Sequence, residues 1–214
     1  MSGMFDLHAT IALRHGWQNT WAASSAQFKK PFVGIADSVL DDWYAELVPS
    51  GNTKFIKFGT AFTPDVQPHP FISVSMDEEP MEAQPLNYYG GLDASSGSVL
   101  KVRTVLLRQV LTINIYAPGT ELTRALHVIA RAIMMDNNAW FSSVGYNGLN
   151  YLGGSDLMQE ENVFFDQLGV FTRTQRWSVF SEAKFTEATG ASKSSFVYSS
   201  DETVNSNTGG VTPQ

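Results

Sequence analysis

Residues 104–136, TVLLRQVLTINIYAPGTELTRALHVIARAIMMD, change hydrophobic period half-way, and that change sets the fold class. Val105, Leu107, Leu111, Ile113 and Ile115 share one parity, which predicts a long strand over 104–116. Pro118-Gly119-Thr120 then turns the chain. Thr120 is the expected N-cap, and Glu121 sits where a carboxylate favours the positive end of the helix dipole. Leu122, Ala125, Leu126, Ile129, Ala132 and Ile133 recur at helical spacing and form one apolar face, which Asp136-Asn137-Asn138 ends. A long strand, a tight turn and one amphipathic helix predict a helix packed on a sheet.

Upstream of this unit, Ile56, Phe58 and Phe62 alternate with Phe55 and Lys57, and Ile72, Val74 and Met76 alternate with Ser73 and Ser75. The two runs predict a hairpin whose connection is punctuated by Pro64, Pro68 and Pro70. Nearer the N-terminus, Met4, Leu7 and Ile11, with Ala12 beside them, predict a short helix ending near Gly16. A second helix is expected after Pro31, with Phe32, Ile35, Val39, Trp43 and Leu47 as its buried stripe and Ser38, Asp41, Asp42 and Glu46 facing away. Residues 17–30 hold two tryptophans and show no clear period.

Downstream, a Gly- and Asn-rich stretch (Gly145 to Gly154) precedes a second long strand over 170–185. Phe171, Trp177, Val179, Ala183 and Phe185 share its apolar parity, but Arg173 and Gln175 interrupt them. Polar residues on both faces predict a bulge there, or a strand leaving the sheet. Residues 77–100 begin with Asp77, Glu78, Glu79 and Glu82 and become Gly- and Ser-rich; so long a loop is expected to be either a solvated excursion or an arm ordered by a partner. Beyond residue 186 the chain is rich in Ser, Thr, Gly and Asn. The expected organisation is one domain over 1–186, carrying the 77–100 loop, and a flexible or partner-ordered arm over 187–214.

Composition narrows the function classes. The 214 residues are 43% hydrophobic and 16% charged, with 14 Lys and Arg against 21 Asp and Glu and a net charge of -7. With no cysteine, disulfide scaffolds, thiolate metal sites and cysteine nucleophiles are excluded. The acidic balance argues against tight nucleic-acid binding, whose affinity comes largely from phosphate neutralisation. No apolar run approaches the ~20 residues of a membrane helix, and no leader-like basic-then-apolar stretch opens the sequence. Phosphate-loop, dinucleotide, HExxH and GxSxG patterns do not occur. His8, His15, His69 and His127 are scattered, and the pairs Asp41-Asp42, Glu78-Glu79 and Glu160-Glu161 are adjacent residues that point apart on a helix or strand. No catalytic residue, metal set or cofactor site is therefore expected. The string Phe171-Thr172-Arg173-Thr174-Gln175-Arg176-Trp177 is the most distinctive; it reads equally as a strand with a core Trp or as an interface anchored by Arg and Trp.

The order of elements carries a resemblance. Helices, a hairpin with a long polar extension, a long strand ending in Tyr116-Ala117-Pro118-Gly119, one amphipathic helix and a long strand carrying Arg173-Thr174-Gln175-Arg176-Trp177 resemble the tail-terminator and neck (head-to-tail joining) proteins of tailed bacteriophages over residues 55–185. That resemblance implies an α+β fold: a mixed, mostly antiparallel sheet flanked by helices, with a long β-hairpin extension and an extended C-terminal arm. It implies a non-catalytic virion protein, assembled in the host cytoplasm, forming a homo-oligomeric and commonly hexameric ring. The ring would cap the tail tube, join it to the head connector or adaptor proteins and let DNA pass without specific binding. No membrane partner is implied. The expected interface residues are Arg173, Arg176 and Trp177, Phe196, Val197 and Tyr198 in the tail, and Tyr88 and Tyr89 in the loop. The alternatives are a baseplate or other tail protein that binds a host-surface ligand, and an enzyme using scattered His and carboxylate groups.

Overall fold

Two strands of 19 residues organise the chain. β4 (Leu100–Pro118) and β7 (Val170–Ala188) pair antiparallel from Leu100↔Ala188 to Pro118↔Val170 with no break in register. At a strand's rise per residue, each is about 60 Å long. A computed structural model describes the backbone of residues 4–60, 70–76, 89–93, 100–159, 169–188 and 195–196, and the side chains of 4–60, 70–76, 107–158 and 169–181.

The remaining strands add to this ladder. β1 (Lys57–Gly59), β2 (Phe71–Met76) and β5 (Tyr146–Gly154) complete the sheet order β1-β2-β4-β7-β5. β3 (Tyr89–Asp93) pairs with β4, while β6 (Met158–Gln159) and β8 (Ser195–Phe196) pair with β7. Every described pairing except β1–β2 is antiparallel. The architecture is α+β with a mixed, mostly antiparallel sheet, as expected.

The helices cover one sheet face. Ile72 and Val74 on β2, Leu111, Ile113, Ile115 and Ala117 on β4, and Trp177 and Val179 on β7 belong to one buried cluster. Their register partners coincide: Val74 lies opposite Ile113, and Leu111 opposite Trp177. α4 (Thr120–Asp136) packs on this face through Leu122, Ala125, Leu126, Ile129 and Ile133, as its spacing predicts. α1 (Phe5–Gly16) crosses α4 at close range, since a Cβ on Gly16 would stand 2.5 Å from Ile133 Cγ2. α5 (Asn138–Ser143) adds Phe141, whose ring meets Phe5 edge-on. Phe71, Tyr116 and Val170 form a second, smaller cluster.

Several expectations are corrected. The 55–76 unit is not a hairpin: β1 runs parallel to β2, with Lys57 beside Phe71. Period two identifies a strand but not the direction of its neighbour, and a parallel pair needs a crossover connection. Phe62 lies outside the described residues. On α1 the buried face is Phe5, Ala9, Ala12 and Leu13, while Met4 and Leu7 are exposed. The second helix, α3 (Asp37–Leu47), starts six residues after Pro31, because Gly34 adopts φ +86° and Ala36 is extended. Its face is accordingly rotated: Leu40 and Leu47 are buried, Trp43 and Tyr44 pack against the core, and Ile35 and Val39 are exposed.

Residues 17–30 are ordered by packing rather than by period. A π-helical turn over Trp17–Trp21, closed by Ala22 N–H to Trp17 O at 2.8 Å, buries both tryptophans. α2 (Ser25–Lys29) follows, capped by Ser24 Oγ, which accepts from Gln27 N. Lys29 pairs with Asp41 at 2.7 Å and helps hold that carboxyl below its ordinary pKa. At the start of α4 the cap is Gly119 at φ +82°, not Thr120. Thr123 Oγ1 donates to Gly119 O at 2.9 Å, and Glu121 accepts from Trp43 Nε1 at 3.0 Å. The bulges lie in β5 rather than β7: Asn147↔Phe180 is followed by Asn150↔Ser178, and Tyr151↔Trp177 by Gly153↔Arg176. The Gly- and Asn-rich stretch is thus itself a strand. Part of the 77–100 loop is also a strand, β3; residues 77–88 and 94–99 lie outside the described residues.

Candidate functional site

The expected interface residues fall into two groups. Tyr89 lies opposite Arg103, Arg103 opposite Phe185, and Phe185 opposite Phe196, a single row across β3-β4-β7-β8. Loop and tail, 107 residues apart in sequence at Tyr89 and Phe196, therefore meet at one end of the ladder. Tyr88, Val197 and Tyr198 lie outside the described residues. Arg173, Arg176 and Trp177 sit further along β7, with Trp177 about 27 Å from that row by strand rise.

Trp177 belongs to the core. It is 1% exposed, its ring lies 5.1 Å from that of Tyr151, and its Nε1 donates to Gln175 Oε1 at 3.0 Å. That burial removes Trp177 from the surface of the chain. Gln175 Nε2 in turn donates to His127 O at 2.6 Å, so a buried polar relay fastens α4 to β7. This explains the polar residue in the middle of an apolar parity: it satisfies a main-chain carbonyl inside the core. Arg173 is half-buried and its Nε donates to Ser155 O at 3.2 Å, whereas Arg176 is exposed on the opposite face of β7.

His127 also occupies this junction. Its Nε2 is buried with no hydrogen-bond partner among the described residues. Burial, and then the charges of Arg173 and Arg131, push its pKa down to about 4. The Arg131 guanidinium lies over the Tyr151 ring at 4.4 Å. A Cβ on Gly154 would stand 2.8 Å from the Thr174 main-chain O and 2.9 Å from His127 Nε2 and Tyr151 Oη, so glycine lets β5 lie close against β7 here, beside the His127 ring. His8 and His15 do not act together: His8 Nδ1 lies 3.3 Å from Tyr146 Oη, and His15 is exposed. Among the described residues no three His, Asp or Glu side chains gather as a metal set, and no helix is long and apolar enough to cross a membrane.

A site absent from the sequence reading lies at the β1 end of the sheet. A pocket of about 580 Å³ is lined by Arg14 and Gln18 from the α1 side, by Lys54, Lys57 and Phe58 around β1, and by Phe71. Arg14 Nη2 donates to Phe58 O at 3.4 Å and Lys57 Nζ to Lys54 O at 3.2 Å. Only the Lys54-x-x-Lys57 spacing hints at this cluster in sequence. Arg14 joins it because α1 packs against β1.

No family model matches the chain, and no curated protein matches it. Among solved structures, a chain of the "Virion of native gene transfer agent (GTA) particle" is similar at 14% identity, covering 78% of this chain and 98% of that chain with a TM-score of 0.30. A superposition at that score carries no argument about fold or function.

Proposed function

We propose that this chain is a non-catalytic structural subunit of a phage-like virion, forming a homo-oligomeric ring that terminates a tail tube and joins it to the head connector. The observation that carries the reading is the ladder of β4 and β7. Past the helix-backed core it continues to Leu100 and Ala188, where β3 and β8 flank it. Two segments remote in sequence thus converge on one end of a long sheet, the kind of place where a neighbour's strand can add to an edge. The acidic balance of the chain suits a channel that DNA crosses without being held.

The mass of the purified protein tests this reading. A closed ring, in solution or on added tail tubes, is the expected result. A strict monomer that associates with neither tubes nor connectors overturns it.

A further inference from the structure

We propose that the pocket beside β1 is a docking site for an acidic, extended peptide, supplied by residues 77–82 of a second copy of this chain. The proposal rests on the self-associating reading above, and its test can fail separately.

Charge comes first. Three of the chain's 14 cationic Lys and Arg residues, Arg14, Lys54 and Lys57, line one pocket, and no carboxylate lines it. Among the described residues none of the three forms an ion pair, and Arg14 and Lys57 reach only main-chain carbonyls. A guanidinium has five donors and an ammonium three, so most of their bonding capacity is unspent. In a chain of net charge -7, such a local excess of positive charge attracts the chain's own acidic segments.

The backbone supplies the second argument. β1 ends the sheet order, and no described strand pairs with its outer edge. Lys57 N–H points inward to Pro70 O at 3.1 Å, so the next residue, Phe58, turns its carbonyl outward, where Arg14 meets it. A strand laid along this edge would find the Phe58 main chain to pair with, apolar contact from the half-buried Phe58 ring, and cations for its carboxylates.

The occupant follows from the sequence. Asp77-Glu78-Glu79-Pro80-Met81-Glu82 places four carboxylates in six residues, the densest acidic run of the chain. It follows Met76 directly, at the end of β2 opposite Phe71 and about 10 Å along β2 from Ser73, the register partner of the pocket's Gly59. β2 runs parallel to β1 from Phe71, beside Lys57, to Met76, so its direction at Met76 points away from Lys54 and Lys57, which favours a neighbouring copy as the source of the run.

The test uses the full chain carrying D77N, E78Q, E79Q and E82Q, so that its own run cannot compete. A fluorescent peptide of residues 74–84 is titrated into it. Saturable one-to-one binding is expected. The affinity should fall about two- to fivefold for each of Arg14→Gln, Lys54→Gln and Lys57→Gln, and about tenfold or more for the triple variant. It should also fall as salt rises from about 0.05 to about 1 M. All three cations are exposed, and unchanged melting temperatures verify that the variants are folded.

Equal binding of a peptide with Asn and Gln in place of its acids, or equal binding by the triple variant, overturns the site. Tighter binding of a single-stranded DNA oligonucleotide, lost in the triple variant, overturns the peptide as ligand. Peptide binding by the neutralised chain, with a wild-type chain that neither binds peptide nor self-associates, overturns the second copy as its source. A ring without peptide binding sinks this proposal alone, whereas peptide binding without a ring sinks the ring alone.

Discussion

The β4–β7 ladder carries two four-stranded rows with different surroundings. In the proximal row, Val74, Ile113, Gln175 and Gly154 lie side by side on β2-β4-β7-β5, and α4 packs on that half through its apolar face. In the distal row, Tyr89, Arg103, Phe185 and Phe196 lie side by side on β3-β4-β7-β8. The flanking strands differ in length: β2 and β5 have six and nine residues, β3 and β8 five and two. One pair of long strands thus serves a core at one end and a meeting point of loop and tail at the other. Stability is expected to reside in the proximal half and association in the distal half.

The largest effect should come from the proximal core. Trp177→Ala removes a fully buried side chain and leaves Gln175 Oε1 without its donor, so a loss of about 3–5 kcal/mol is expected in chemical denaturation. A loss below about 1 kcal/mol would break the assignment of stability to this half, since that is the scale of surface substitutions.

Acid should loosen the same half next. His127 titrates near 4 in the folded chain against an ordinary 6.5, so between those values the unfolded chain binds more protons. The stabilisation is complete above pH 6.5 and is lost as pH falls from 6.5 toward 4. Its size should be about 2–3 kcal/mol. Denaturation at a series of pH values should show His127→Asn with a shallower slope across this window. An unchanged slope would exclude His127 as its source.

A smaller loss is expected at the helix crossing. Gly16→Val must displace Ile133, for a cost of about 1–3 kcal/mol read in the same denaturation assay. No loss would show that α1 can move away from α4 freely, and that the covered half is less tightly packed than its burial implies.

The strand–turn–helix unit at 104–136 was legible because its apolar residues change from period two to helical spacing, and both periods survive folding. Other parts were not legible, for identifiable reasons. Met4 and Leu7 match Phe5 and Leu13 in hydrophobicity, so spacing alone placed the buried face of α1 on the wrong side. β5 hides its strand character behind two bulges, with Gly148 at φ +66° and Gly153 at φ +131°. Arg173-Thr174-Gln175-Arg176-Trp177 was visible as unusual, but only the three-dimensional packing shows Gln175 holding the helix carbonyl. The cationic pocket joins residues 40 apart, Arg14 and Lys54, through a helix–strand contact that no local pattern encodes.

The smallest effect on folding should come from the tail, and two truncations divide its roles. Ending the chain after Phe196 keeps β8, whereas ending it after Ala188 removes β8 and with it the fourth member of the distal row. Both should leave the free energy of unfolding within about 0.5 kcal/mol of the full chain, because neither touches the helix-backed half. The mass of each purified chain should separate them: if the proposed association depends on the distal row, the shorter chain loses it and the longer one retains at least part. Equal association of both chains would move the contact away from β8. A large loss of stability in the shorter chain would mean that the distal strands hold up the core as well, and the division of the ladder into a stabilising and an associating half would fail.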